Sequence, residues 1–402
     1  METGATLIRG ARQLLTLRGK NAPRRGAELS DLGLIQDGAV LIRGGIVEQV
    51  GPTRRVENLA AARGAAEINA TGRIVLPAFV DSHTHLFYPP AGERGATPES
   101  AAAAIRASSA WLLEARLQSW LDAMARHGTG TVEIKTGCGP DAAIETKALR
   151  VLAGLSRFAP DVVPTFLLRI PDEASEEEAA RIVSEFAPRI YGRRTARFAD
   201  ALWDNRPARQ ELFARYLETA AVGGLPVKLH ADAPGCAAAA AIAIGHRAAS
   251  VDHLEHLRPE QAGLLGNART VVTLLPAAAL YSGGPIAPAR ALIDAGAPVA
   301  LATNCNPHFT PVFSMQTVIA LACLEMRMTA AEAIAAATVN GAHAVGRGGR
   351  AGSIEPGKDA DLLLLNADDY RQAARSLGGN LVHLAIKRGR LVYREGKVER
   401  PA

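Results

Sequence analysis

Between about residue 72 and residue 345, short apolar runs alternate with helix-length amphipathic stretches eight times over. RIVLPAFVD precedes a helical pattern near 99–126, GTVEIK one at 141–157, VVPTFLL one at 175–187 and ARFADALW one at 207–222. PVKLHA, SVDHLEH, TVVTLLP and PVALAT follow, each with another helical stretch behind it. Parallel neighbours need a long crossover, usually a helix, so repeated βα alternation predicts a parallel sheet. Eight such units predict closure into a (β/α)8 TIM barrel of the α/β class. An open doubly wound sheet is the competing arrangement, but no GxGxxG follows any of these strands.

The two ends carry a different rhythm. Extended runs at 6–16 and 38–50 are joined to short turns, Gly44-Gly45 among them, and a third run ends at Asn69-Ala70-Thr71-Gly72. After about residue 346 the β pattern returns in GSIEPGKDADLLLLN and HLAIKRGRLVYREGKV. The expectation is that residues 1–71 and 346–402 pair into one small β-sandwich domain beside a barrel of residues 72–345.

Composition narrows the function classes. With 48% hydrophobic residues in 402, a large core is within reach. The net charge of +5 comes mostly from arginine, with clusters at Arg24-Arg25 and at Arg193-Arg194 with Arg197. Neither cluster is interleaved with aromatics, so no nucleic-acid partner is expected. Cys138, Cys236, Cys305 and Cys323 show no CxxC spacing, which argues against a disulfide framework. No run has signal-peptide quality or membrane-span length, so the expectation is a soluble, cytoplasmic protein with no membrane partner.

Active-site groups of a barrel project from the C-terminal ends of its strands. The first strand ends in Asp81-Ser82-His83-Thr84-His85, and residues i and i+2 of a strand point to one side. Two surface loop histidines are the plain account of that pair; at a barrel strand's end, both imidazoles can reach one metal ion. The fifth strand ends in Lys228-Leu229-His230, the sixth in Asp252-His253-Leu254-Glu255-His256, and the eighth in Thr303-Asn304-Cys305-Asn306-Pro307-His308. Metal-capable groups therefore recur at four strand ends.

These stretches resemble the amidohydrolase superfamily, and within it the imidazolonepropionase family. The resemblance is carried by LPAFVDSHTHL, HGTGTVEIKTGCG, ARFADALW, LPVKLHADA, ASVDHLEHL, ALATNCNP and SIEPGKDADLLLLN, in register from about residue 36 to 393. It implies a metal-dependent hydrolase of cyclic amide C–N bonds with one divalent ion, zinc or iron. His83, His85 and His230 would hold that ion, with position 304 beside them, and His253 would polarise the bound carbonyl. The small-molecule substrate would be a cyclic amide, and family habit adds a homodimer.

Two positions depart from the family pattern. The metal-binding aspartate of the eighth strand is Asn304, which offers a neutral oxygen but accepts no proton near pH 7. The glutamate of the fifth-strand H-A-x-E motif is Ala233. Losing general base catalysis typically costs roughly 10²–10⁴-fold in rate. The substrate loops differ too: the segment after H-T-H is shortened to FYPPAGERGATPES, and Cys138 replaces the tyrosine of an SGYG-type loop.

Arg169 stands after the third strand, where an anion contact competes with a plain salt bridge to Asp172 or Glu173. Asn306, Cys138 and Arg169 are the expected substrate contacts. His308 is the expected replacement base, with Asp232 and Asp204 as further candidates. Glu133 reads as a structural partner of Lys135 or an arginine, and Cys305 as packing. His127, His246, His343 and His383 read as structural. Three functions stay open: a cyclic-amide hydrolase with another substrate than imidazolonepropionate, a binding barrel that has lost turnover, and a deaminase.

Overall fold

The computed structural model of the protein describes residues 4–90, 97–155, 160–191 and 195–398. Part of the shortened loop after H-T-H (91–96), and Arg193 and Arg194 of the basic cluster, lie outside the described residues.

Strands β1 (Ala5–Leu15), β2 (Leu34–Arg43), β3 (Ile46–Pro52), β4 (Ala66–Asn69) and β5 (Ile74–Pro77) come first. Then follow β6 (Phe79–Asp81), β7 (Thr129–Lys135), β8 (Asp161–Leu168) and β9 (Phe198–Ala201). The next four are β10 (Lys228–Ala231), β11 (Ser250–His253), β12 (Val271–Leu274) and β13 (Val299–Leu301). The last are β14 (Leu362–Leu365), β15 (Val382–Lys387), β16 (Arg390–Arg394) and β17 (Lys397–Val398).

β6 to β9 pair in parallel in chain order, and so do β10 to β13. Parallel bridges Ala199↔Val227 and Leu202↔His230 join the two arcs on one side, and Thr84↔Cys305 joins them on the other. The eight strands thus close into the (β/α)8 barrel that the alternation implies.

The run RIVLPAFVD does not stay one strand. Pro77 has no N–H to donate, and the next two amides take different partners: Ala78 N donates to Asp361 O (3.0 Å) and Phe79 N to Gly128 O (3.0 Å). The hydrogen-bonding partner therefore changes sheet between residues 78 and 79. β5 stays with the terminal strands, and β6 opens the barrel. The helical pattern at 99–126 also divides, into Pro98–Ala107 and Ala110–Arg126. Ser109 caps the second helix, its Oγ accepting from Leu112 N at 3.2 Å.

The terminal strands form one nine-stranded sheet in the order β17-β16-β15-β14-β5-β1-β2-β3, with β4 beside β1. β5 and β14 are antiparallel neighbours, so the chain leaves this sheet for the barrel and returns to the adjacent position. Lys387 on β15 ties the sheet to the barrel, reaching Asp361 (2.6 Å) and Asp161 at the start of β8 (2.9 Å). The largest apolar cluster lies between barrel and outer helices. There the helix Cys236–Gly245 buries Ala239, Ala240 and Ala243, small side chains on one face that let it lie close to the strands.

Candidate metal centre

Alternation along each barrel strand decides which side chains face inward. On β7 it puts Glu133 and Lys135 on one side, on β10 Lys228 and His230, on β11 Ser250 and Asp252, and on β9 it adds Asp200. All of these but His230 meet in a polar layer with no solvent exposure. Lys135 Nζ contacts Asp200 (2.5 Å), Asp252 (2.9 Å) and Glu133 (3.2 Å). Lys228 Nζ contacts Glu133 (2.6 Å) and donates to Ser82 O (3.2 Å). Thr165 Oγ1 donates to the other Glu133 oxygen at 2.5 Å.

Burial opposes the charge on Lys135, but Asp200, Asp252 and Glu133 outweigh it and hold its pKa well above the ordinary lysine range. Burial likewise opposes ionisation of Asp252, yet Lys135 and Lys228 hold its pKa well below the carboxylate range. The layer carries two ammoniums against three carboxylates, an excess of one negative charge inside the barrel.

Four histidines converge above this layer. His83 Nδ1 meets Asp252 Oδ2 at 2.7 Å, and its Nε2 lies 3.0 Å from His85 Nε2. The His230 ring centroid is 4.8 Å from His83, 5.4 Å from His85 and 4.3 Å from His253. One ring nitrogen each from His83, His230 and His253 lie within 4.8 Å of one another. His253 is therefore inside the cluster rather than set back from it. Its φ of +80°, followed by +68° at Leu254, turns the chain sharply at the strand's end.

Burial pushes both His83 and His85 well below the ordinary histidine range, with Lys135 reinforcing the shift at His83 and His230 at His85. Both are thus neutral imidazoles, the form that ligates a metal. His253 is buried as well, but Glu255, at 3.0 Å from its Nδ1, raises its pKa.

Several buried polar atoms here have no hydrogen-bond partner: His230 Nδ1, His253 Nε2, Asn304 Oδ1 and Ser82 Oγ. Native interiors satisfy such atoms, so their concentration around four imidazoles marks a place built for something else. Asn304 has φ +53°, a conformation that Asn tolerates, and its N–H donates to His83 O at 3.1 Å. That bond ties the end of the eighth strand to the H-x-H pair.

The other expected residues divide. Asp232 Oδ2 stands 3.6 Å from His230 Nε2, whereas Asp204 turns away to pair with Arg206. Asn306 spends its side-chain oxygen on the backbone N–H groups of His308 (3.0 Å) and Phe309 (3.2 Å), shaping the loop. His308 meets Phe309 edge-on, Phe309 meets Tyr88 edge-on, and Tyr88 in turn meets His85 edge-on. Cys305 is buried in apolar packing, and His127 and His383 bind Ser314 and Glu395.

Arg169 makes no ion pair with Asp172 or Glu173 among the described residues. Instead its charge acts on Tyr88, whose ring meets His85 edge-on, and on Cys138 and Glu99. Burial pushes the Tyr88 hydroxyl up to about 12 and raises Cys138 well above the thiol range.

Glu145 braces the backbone at Cys138, accepting from Cys138 N (2.7 Å) and Gly137 N (3.2 Å). Burial pushes its pKa from 4.5 to about 7. A carboxyl raised in the folded state is disfavoured as pH rises, so its contribution to stability is lost between about 4.5 and 7. Glu145→Gln keeps the acceptor and removes the charge. Its stability advantage over the parent is expected to grow by about 3 kcal/mol between pH 4.5 and pH 8. Urea unfolding of both proteins at the two pH values measures this, and an unchanged gap refutes it.

With this geometry, comparison with known proteins is decisive. The amidohydrolase family pattern matches residues 74–392. An imidazolonepropionase of Parabacteroides distasonis is 38% identical, the alignment covering 97% of this chain and 99% of that one. The chain belongs to the amidohydrolase family, in its imidazolonepropionase-like branch. Among solved structures, a triazine hydrolase variant superposes with a TM-score of 0.76 at 17% identity, covering 98% of this chain and 96% of that one. An adenosine deaminase from Xanthomonas campestris, solved with bound zinc, gives 0.68 at 18% identity, covering 99% and 94%. Both likenesses describe the fold.

A metal-dependent hydrolase of this family needs a divalent ion, and the donors fit one. Buried imidazoles suit a divalent transition metal, the unpartnered nitrogens are free to ligate, and the negative excess beneath favours a cation. In this amidohydrolase the expected pairing of Glu133 with Lys135 belongs to a wider polar layer that the sequence expectation did not include. Its signal was present: E-x-K on β7, K-x-H on β10 and S-x-D on β11 place charged or polar residues two apart, at the parity of the inward face. No helix among the described residues is long and apolar enough to cross a membrane.

Proposed function

We propose that this amidohydrolase opens a cyclic amide or imide at the C–N bond, using one ion, zinc or iron, held by His83, His85, His230 and the carboxamide oxygen of Asn304. The observation that carries the reading is the convergence of buried, partly unpartnered imidazoles at the barrel mouth. When bound, such an ion supplies Lewis acidity to the scissile carbonyl and lowers the pKa of water to about 7.

The chain's own residues then orient and exchange protons. Glu255 holds His253 by Nδ1, leaving Nε2 free to polarise the substrate carbonyl. Proton acceptance falls to His308 or to Asp232, and the approach of Asp232 to His230 supports Asp232. Cys138, Arg169 and Tyr88 shape the substrate end. The shortened segment after H-T-H and Cys138 depart from the imidazolonepropionase pattern, which supports a cyclic amide other than imidazolonepropionate as the substrate. Asn306 serves it indirectly, by shaping the eighth-strand loop.

Ala233 and Asn304 favour one competing reading, a barrel that binds such a compound without turning it over. Plasma mass spectrometry of untreated protein, with turnover and binding assays on five- and six-membered cyclic amides and imides, separates the two. About one ion per chain with turnover supports the hydrolase. Binding without turnover supports the alternative, and folded protein that takes up no metal overturns the metal site.

A further inference from the structure

Three histidines are proposed to hold the ion, and one of them, His83, is tied to the charged layer beneath. His83 Nδ1 lies 2.7 Å from Asp252 Oδ2, so the proton sits on Nδ1 and the Nε2 lone pair is bare. That lone pair faces His85 Nε2 at 3.0 Å. The opposite tautomer would aim an N–H at a neighbouring nitrogen and leave Asp252 facing a lone pair. Asp252 in turn has both oxygens engaged. Oδ2 also takes Lys135 Nζ at 2.9 Å, and Oδ1 accepts from Ser250 Oγ at 2.5 Å. Lys135 is anchored by Asp200 and Glu133, and Glu133 by Lys228 and Thr165.

This chain of contacts runs from five barrel strands, β7 to β11, to a single imidazole nitrogen. A layer that only filled the barrel would need no charges, because apolar side chains fill such interiors at lower desolvation cost.

Resting on the proposed metal reading, we propose that Asp252 is a positioning residue: through His83 Nδ1 it fixes the tautomer and aim of the leading ligand, and the Lys135 layer holds Asp252 in place for that task. Partners of ligating histidines contribute roughly 10–100-fold to metal affinity.

Asp252→Asn keeps the shape, with an amide oxygen to accept from His83 and an amide nitrogen that can donate to Ser250 Oγ, but it removes the charge that polarises the imidazole. Chelator-stripped parent and variant are titrated with cobalt(II), following the d–d absorption. The expected result is about 10–100-fold weaker binding and an altered d–d spectrum in the variant, with the far-ultraviolet circular dichroism of the metal-free proteins unchanged. Equal affinity and an equal spectrum overturn the inference while leaving the metal reading intact. Parent protein that takes up no cobalt overturns both.

Should Asp252→Asn not fold, Ser250→Ala provides the test, since it frees one oxygen of Asp252 and keeps the charge. It is expected to weaken cobalt binding several-fold and shift the spectrum, and an unchanged titration overturns the proposal.

Discussion

Replacing His230 with alanine is expected to lower bound metal from about one ion per chain to a small residue, and hydrolysis by at least ~100-fold. Losing only an outer partner of a ligand typically costs 10–100-fold, so losing a ligand should exceed that. The fold should survive. His230 contributes to the barrel through its backbone, whose carbonyl accepts from Trp203 N at 2.8 Å, and its Nδ1 has no partner to lose. The melting temperature of the chelated variant should therefore match that of the chelated parent within a few degrees. Added zinc should raise only the parent's, because a ligand that binds the folded state alone stabilises it by mass action. Metal content and paired melting curves check this. Full metal retention would show that His83, His85 and His253 suffice, an outcome made concrete by the His253 nitrogen lying within 4.8 Å of one on His83.

That ambiguity shows how much of the site was legible in the sequence. His83, His85, His230, His253 and Asn304 stand at strand ends, and strand ends of a closed barrel converge whatever the loops do. Eight strands in order were therefore enough to bring these residues together. How close His253 comes depends on two consecutive positive φ angles, which no residue pattern at 253–254 announces.

The polar layer was half visible. Glu133 pairing with Lys135 follows from their spacing on one strand, but Asp200, Lys228 and Asp252 reach it from three other strands, and closure alone joins them. Arg169 misled for the opposite reason. Asp172 and Glu173 are near in sequence, but the chain turns after β8, and the Asp172 carbonyl accepts from Arg206 instead. In RIVLPAFVD one apolar run serves two sheets, because local hydrophobicity does not record which neighbour takes each amide hydrogen.

The double change Ala233→Glu with Asn304→Asp is expected to raise hydrolysis of a cyclic amide that the parent turns over by one to two orders of magnitude. General acid–base catalysis is worth roughly 10²–10⁴-fold where a carboxylate is well placed, and a grafted one recovers part of it. Both positions accept the change. Ala233 is only partly buried, three residues after His230, and Asn304 has a left-handed φ that Asp tolerates as Asn does. The two carboxylates act on one proton path, so the double variant should exceed the product of the single effects.

The electrostatics add a second readout. The Asn304→Asp change would put another negative charge beside a layer that already carries an excess of one, which destabilises the metal-free protein and strengthens its hold on a cation. The rise in melting temperature on adding zinc should therefore be larger in the double variant than in the parent. A larger metal-induced rise without faster hydrolysis would move the limit from the missing carboxylates to the proposed substrate contacts Cys138 and Arg169. In that case the barrel's present sequence is adapted to hold its ligand rather than to cleave it.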